Sequence, residues 1–281
     1  MIQKEATKMA AKLKGQNRIR EFRGIAKRLT TKMSKCEGVA GIAFIGGLVR
    51  GFADRNSDLD IVVLISERDE SLRRRINELA SNEAKRHRVD LDMEVHFLED
   101  FRKRKWDEID RWEFAKAETV FDPEGKFREA LSEKFQLPKS LWIRRIVACA
   151  EYLKWYCCPP QENVGTVAEN WVERGDIQSA HYCLNYCEDL VLKILFALNR
   201  EHLPAPKWRL FYSHKLKWLP KDYSDLISEV MKIKSYSLED FNRRLQALRS
   251  LWNSILPKIK AETGLDEDQI SRYYVKKILR V

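Results

Sequence analysis

No stretch of this 281-residue chain is long and apolar enough to span a bilayer. The first residues lack the apolar core of a secretion signal, so nothing there marks the chain for export and a cytoplasmic setting is expected. Glycine and proline are sparse, at 11 and 8, and no low-complexity tract or internal repeat is visible. Collagen-like, disordered and solenoid architectures are therefore excluded. The six cysteines contain no Cys-x-x-Cys pair, and a chain of this length needs no disulfide framework, so reduced thiols are expected. Cys183 and Cys187 stand four apart with His181 nearby, which could suggest metal ligands. Their setting is an apolar helical stretch, where buried packing thiols are the expectation rather than a zinc site.

Acidic charge is also in deficit. Lys and Arg number 52 against 42 Asp and Glu, a net +10 that favours phosphate-bearing or polyanionic partners. Residues 1–35 hold eleven Lys and Arg against Glu5 and Glu21, nearly the whole excess. Within them Ile19, Phe22, Ile25, Leu29 and Met33 recur every three or four residues, the stripe of a helix packed on a sheet. Gly15 divides that helix from a looser basic end. The cations are a solvated helix face, or a patch for nucleic acid or a substrate's phosphates.

One stretch carries chemistry. An apolar run, Val39 to Ile45, enters a Gly46-Gly47 turn, then a polar loop, then a second apolar run beginning Asp58-Leu59-Asp60. In a strand, residues two apart share a face, so Asp58 and Asp60 point one way and Leu59, Ile61, Val63 and Ile65 the other. Two carboxylates so placed can lean onto one cation, and a Gly-Gly turn lets backbone N–H groups approach an anion. A short helix after the turn would aim its first N–H groups at phosphates. Strand, helix and strand follow: Leu72, Ile76, Leu79 and Ala80 line a charged helix ending near His87. Val89 to Phe97 then alternates strictly, with Asp90, Asp92, Glu94 and His96 on one face.

Ile45, Gly46, Gly47, Asp58, Leu59 and Asp60, with Arg50-Gly51 and Ser57 in their usual places, resemble the signature of the polymerase-beta-like nucleotidyltransferase superfamily. The resemblance implies an NTP donor and two Mg²⁺ ions held by Asp58, Asp60 and a third carboxylate on a neighbouring strand. Asp92, central on its strand, is taken for that role, with Glu94 and Asp90 as alternatives because sequence does not fix the register. Gly46, Gly47, Arg50 and Ser57 would position phosphates. The implied reaction moves a nucleoside monophosphate to an acceptor hydroxyl and releases pyrophosphate. A small-molecule acceptor is expected. The alternatives are RNA such as a tRNA 3′ end, reached through residues 1–35, a protein side chain, or a toxin–antitoxin type of nucleotide-binding partner with little turnover.

Trp106, Trp112 and Phe114 suggest a helix covering the sheet, and Thr119-Val120-Phe121 a last short strand. Leu137-Pro138 marks a boundary between a nucleotidyltransferase domain over 1–136 and a helical domain over 137–281. The fold class expected is α+β, a mixed sheet with covering helices followed by an all-α bundle, with the site between the two. Beyond the boundary the apolar period is 3.6 almost throughout, over Leu141 to Tyr156, Val164 to Val172, Ile177 to Leu198, Ser224 to Lys234, Leu238 to Ile259 and Asp266 onward. Arg174-Gly175-Asp176 through Asn199, with Pro206-Lys207-Trp208, is similar to the helical second domain of aminoglycoside-type nucleotidyltransferases. By that resemblance Lys207 could hold a phosphate and Glu188 or Asp189 could act as a base; Trp208 is read as packing. The sequence carries no signal for oligomeric state.

Overall fold

The computed structural model describes residues 15–138, 140–161 and 164–279; the basic end before Gly15 lies outside them. The chain divides into two compact units between Leu137 and Pro138. No helix among the described residues is long and apolar enough to cross a membrane.

The first unit is built on strands β1 (Val39–Phe44), β2 (Asp58–Ile65), β3 (Asp90–Phe97) and β4 (Glu118–Phe121). Their order is β3-β2-β1-β4. β1 runs antiparallel to both β2 and β4, while β2 and β3 are parallel, so the sheet is mixed. A parallel pair needs a long crossover, supplied by helix α3 (Glu70–His87). Its start is fixed by the Asp69 carboxylate, which accepts from the Leu72 N–H at 2.9 Å.

Alternation along β1 and β2 gives the sheet two apolar faces. On one, Ile42, Phe44, Leu59, Ile61, Val63 and Ile65 pack with α3 and with helix α1 (Ile19–Met33), whose Phe22, Ile25, Leu29 and Met33 are buried. Each such side chain contributes about 1.5–3 kcal/mol by leaving water. On the other, Ala43, Val62 and Leu64 meet Phe101, Trp106, Phe114 and Phe127. The stretch expected as one covering helix is divided: α4 (Leu98–Lys103), a loop holding Trp106, then α5 (Glu108–Phe114). Asp107 and Asp110 cap each other's N–H groups and start α5 afresh. α6 (Lys126–Lys134) closes the unit, and short α2 (Gly46–Arg50) follows β1.

Several α1 cations are engaged internally. Glu83 of α3, 2% exposed, is paired with Lys32, with Arg28 at 3.3 Å and with His87 at 3.2 Å. Arg23 pairs with Glu118 and Arg18 with Glu21. The basic stripe is thus in part a structural one.

The second unit is helical: α7 (Ser140–Tyr156), α8 (Val167–Glu173), α9 (Ile177–Leu198), α10 (Pro206–Ser213), α11 (Tyr223–Met231), α12 (Leu238–Thr263) and α13 (Glu267–Tyr273). A π-helical segment, Tyr274–Leu279, continues α13 where a single helix is expected. α10 forms where the sequence reads as a loop; Pro206 sits at its first turn, where a missing N–H removes nothing. α9 is buried along most of its length and packs on α7, α8, α11 and α12. All six cysteines are free and buried, and burial pushes the Cys157 and Cys158 thiols well above their ordinary range. They are packing residues.

One charge sits inside this core. Arg244 of α12 is fully buried and donates to the Val230 carbonyl at 2.6 Å and to Asn185 Oδ1 at 2.6 Å; its Nη1 meets His181 Nδ1 at 2.7 Å. Burial and the Arg244 charge hold His181 below the usual histidine range, so the imidazole is the acceptor. Arg244→Ala leaves a carbonyl, an amide and an imidazole without their donor. We expect it to lower stability by about 3–5 kcal/mol, read as a drop in melting temperature. A variant that melts with wild type would show that water replaces the guanidinium.

Candidate active site

The sheet face that carries Val62 and Leu64 also carries Asp58 and Asp60, four and two residues before Val62 on β2. Its far part is covered by the aromatic cluster, whereas Asp58 is exposed and Asp60 partly so. Parallel pairing places Asp60 beside Asp92 and Asp58 beside Asp90. Carboxylate oxygens of Asp58, Asp60 and Asp92 all lie within 4.8 Å of one another. No other group of three or more candidate metal ligands occurs among the described residues. Of the three acids offered by β3, Asp92 joins the cluster. Glu94 is bonded to His96 Nε2 at 2.5 Å and paired with Arg104 at 3.4 Å, and these contacts hold its carboxyl below the ordinary range.

The setting of Asp60 perturbs its carboxyl. Burial first, then the Asp58 charge, raise its pKa to about 7, with smaller contributions from Asp92 and Glu113. Only the Gly47 N–H, which donates to Oδ2 at 3.2 Å, opposes the rise. The Gly-Gly turn therefore serves the carboxylate directly. Gly46 has φ +55, and a Cβ built there would stand 2.0 Å from Asp60 Oδ2. A Cβ on Gly47 would meet the Phe52 carbonyl oxygen at 2.9 Å. The close approach expected at this turn is to Asp60, and one N–H expected for phosphate is already given to it.

The other residues anticipated at the site divide. Arg50 donates to the Trp112 carbonyl at 2.6 Å and lies over the Trp112 ring at 3.6 Å, so it ties α2 to α5. The Ser57 hydroxyl bonds Asp54 at 2.9 and 3.2 Å and closes the loop before β2. Lys207 is exposed on α10 of the helical unit, and Trp208 packs with Phe211 and Tyr212. Asp189 pairs with Lys193 at 2.8 Å and Arg209 at 2.6 Å, the partners of a structural acid. Glu188 is raised to about 7, by burial above all, with Arg244 opposing.

One acid was not anticipated. Glu113 of α5 is near enough to raise Asp60, and its own carboxyl is pushed up by burial and then by Glu94, Asp110 and Asp92, with Arg50 opposing. It follows Trp112 on α5, whose carbonyl accepts from Arg50, a contact between residues distant in sequence.

Three carboxylates with hard oxygen donors, one of them destabilised as an anion, fit a divalent cation such as Mg²⁺. A mixed sheet bearing an Asp-x-Asp strand, a Gly-Gly turn packed against it and a third aspartate on the adjoining parallel strand is the arrangement that the motif resemblance implies. Residues 19–119 match the model of the nucleotidyltransferase domain family. Residues 106–209 match the model of a domain of unknown function, DUF4037. No curated protein matches the chain. Among solved structures, a nucleotidyltransferase-like protein from Exiguobacterium sibiricum is 10% identical, over 90% of this chain and 87% of its own, with a TM-score of 0.38. The spectinomycin adenyltransferase AAD(9) from Enterococcus faecialis, solved with ATP and spectinomycin, is 15% identical over 87% of this chain and 98% of its own, with a TM-score of 0.33. A toxin–antitoxin solved with AMP-PNP is 18% identical over 46% of this chain and 95% of its own, with a TM-score of 0.32. At these identities and TM-scores the likenesses carry no functional argument.

Proposed function

We propose that this protein transfers a nucleoside monophosphate from an NTP to an acceptor hydroxyl, with release of pyrophosphate. The observation that supports the reading best is the meeting of Asp58, Asp60 and Asp92 within 4.8 Å on two adjoining strands. Asp58 and Asp60 would hold two Mg²⁺ ions and Asp92 would complete the second position. Bound Mg²⁺ supplies charge neutralisation on the triphosphate and a more acidic acceptor hydroxyl. The Gly47 N–H, donating to Asp60 Oδ2 at 3.2 Å, would hold that carboxylate for the ion. Gly46 keeps the space beside it empty of side chain. In this reading Asp92 would also take the acceptor's proton. Residues 137–281, as a separate domain, would bind the acceptor, a small molecule in this reading, with Lys207 as a phosphate contact.

The test is incubation with each labelled NTP and Mg²⁺, offering small-molecule, RNA and protein fractions of a cell extract as acceptors. We expect one fraction to take up label in a Mg²⁺-dependent manner, with pyrophosphate released in equal amount. Uptake that persists unchanged in excess chelator would sink the metal-assisted reading. NTP binding without label transfer to any fraction would leave a nucleotide-binding protein.

A further inference from the structure

Outside the aspartate cluster, the end of α4 and the loop after it carry four consecutive cations, Arg102-Lys103-Arg104-Lys105, followed by Trp106. With Arg111 of α5 and Lys134 of α6 they line an open cavity of about 400 Å³ that has one acid, Glu133, in its lining. The cations are not equally satisfied. Arg102 is paired with Glu129, Lys103 with Glu99 at 3.4 Å, and Arg104 with Asp110 at 2.6 Å. Lys105, Arg111 and Lys134 have no carboxylate partner within ion-pair distance among the described residues.

Two of these three are nonetheless held in place. Arg111 donates to the carbonyls of Lys134 at 3.3 Å and Asp107 at 3.0 Å. Lys134 donates to the carbonyls of Arg102 at 2.5 Å and Arg104 at 2.7 Å. Carbonyls fix geometry without cancelling charge. Burial above all, with Glu133 opposing and Arg111 and Arg104 adding to it, pushes the Lys134 ammonium below the ordinary lysine range. Two more donors of the lining, the Arg102 Nε–H and the Trp106 Nε1–H, are buried without an acceptor, and Trp106 is 6% exposed. Buried donors are ordinarily paired, so two at one cavity mark a missing acceptor.

We propose that this cavity is a phosphate-binding site, separate from the aspartate cluster, taking a phosphate group from a nucleic-acid strand or from free phosphate. A carboxylate has one charge and two oxygens, too few for three uncompensated cations and two orphan donors. Free phosphate brings up to two charges and four acceptor oxygens, a strand brings one charge and two non-bridging oxygens at each of successive phosphates, and the planar Arg111 fork suits either.

The experiment works in chelator and without NTP, so that the aspartate cluster is silent. Inorganic phosphate is titrated by calorimetry, and a short fluorescent single-stranded RNA by anisotropy at low salt. The proteins are wild type, Lys105→Glu, Arg111→Gln and the surface control Lys35→Glu. Lys105 is exposed and unpaired, so its reversal leaves the fold intact, which melting checks. We expect Lys105→Glu and Arg111→Gln each to weaken binding by roughly fivefold or more, and to flatten the salt dependence by about 0.7 in log–log slope for each phosphate no longer held. Lys35→Glu should bind as wild type. Phosphate that competes with the RNA identifies a single-phosphate site, and RNA binding alone identifies the strand as the source; either supports the proposal. Wild type that binds neither probe overturns it, as does equal weakening by Lys35→Glu, which would mean diffuse attraction to a basic protein.

Discussion

Asp60→Asn is expected to stabilise the metal-free protein and to abolish transfer. The Asp60 carboxyl has a pKa of about 7 in the folded chain against 3.8 ordinarily. The unfolded chain thus releases this proton first. Between about pH 4 and pH 7 the folded state binds more protons than the unfolded one, so stability falls as pH rises across that window. Above it the full penalty of a charged Asp60 is borne. Three pH units correspond to about 4 kcal/mol at most, and partial access to water reduces this to a gain of roughly 1–3 kcal/mol for the Asn variant at pH 8. Below pH 4 the two proteins should melt alike. The Asn carbonyl can still accept from the Gly47 N–H, so no donor is orphaned. Mg²⁺ with NTP should stabilise wild type and leave the variant unmoved, and transfer should fall by about a hundredfold or more, roughly 2.7 kcal/mol of transition-state stabilisation. The measurement is melting at pH 4 and pH 8, with and without Mg²⁺-NTP, beside an assay of transfer. A variant melting several degrees lower at pH 8 without metal would make Asp60 a structural acid.

The same residues show what a sequence makes legible. Strict alternation in β3 and the paired aspartates of β2 reveal which side chains share a face, because a strand's period is two. They do not reveal which of Asp90, Asp92 and Glu94 stands beside Asp60, since that depends on the offset between two strands joined by the whole of α3. The parallel register resolves it in favour of Asp92, while His96 and Arg104 occupy Glu94. Long-range pairs were equally hidden. Arg50 has motif spacing, but its contact with Trp112 arises only once α5 lies against α2, and Glu113 lies next to Trp112 on that helix. The basic stripe of α1 reads as a surface until Glu83 is seen buried against Lys32 and Arg28. Helix boundaries failed where local chemistry outweighed periodicity, at the Asp107–Asp110 caps and at Pro206.

Gly46→Ala should be the most damaging single methyl group in the first unit, and Gly51→Ala is its control. Both glycines have positive φ, +55 and +82, where an L-residue is disfavoured by about 1–2 kcal/mol. At Gly51 a Cβ meets nothing within 4 Å, so the backbone term stands alone. Gly51→Ala should therefore melt slightly lower and transfer within a few-fold of wild type. At Gly46 the Cβ would lie 2.0 Å from Asp60 Oδ2 and 2.3 Å from Cγ. No adjustment of a few tenths of an ångström relieves such an overlap, so the Asp60 side chain must rotate away and lose the Gly47 N–H. Transfer should then fall as far as in Asp60→Asn, by about a hundredfold or more. Because both substitutions remove the same carboxylate from the same place, their effects should not add: Gly46→Ala with Asp60→Asn should transfer no more slowly than either alone. Additive losses would mean that Gly46 serves the nucleotide independently of Asp60. Transfer by Gly46→Ala within a few-fold of wild type would mean that the Asp60 carboxylate works from another position, and the arrangement of the three aspartates proposed for catalysis would have to be abandoned.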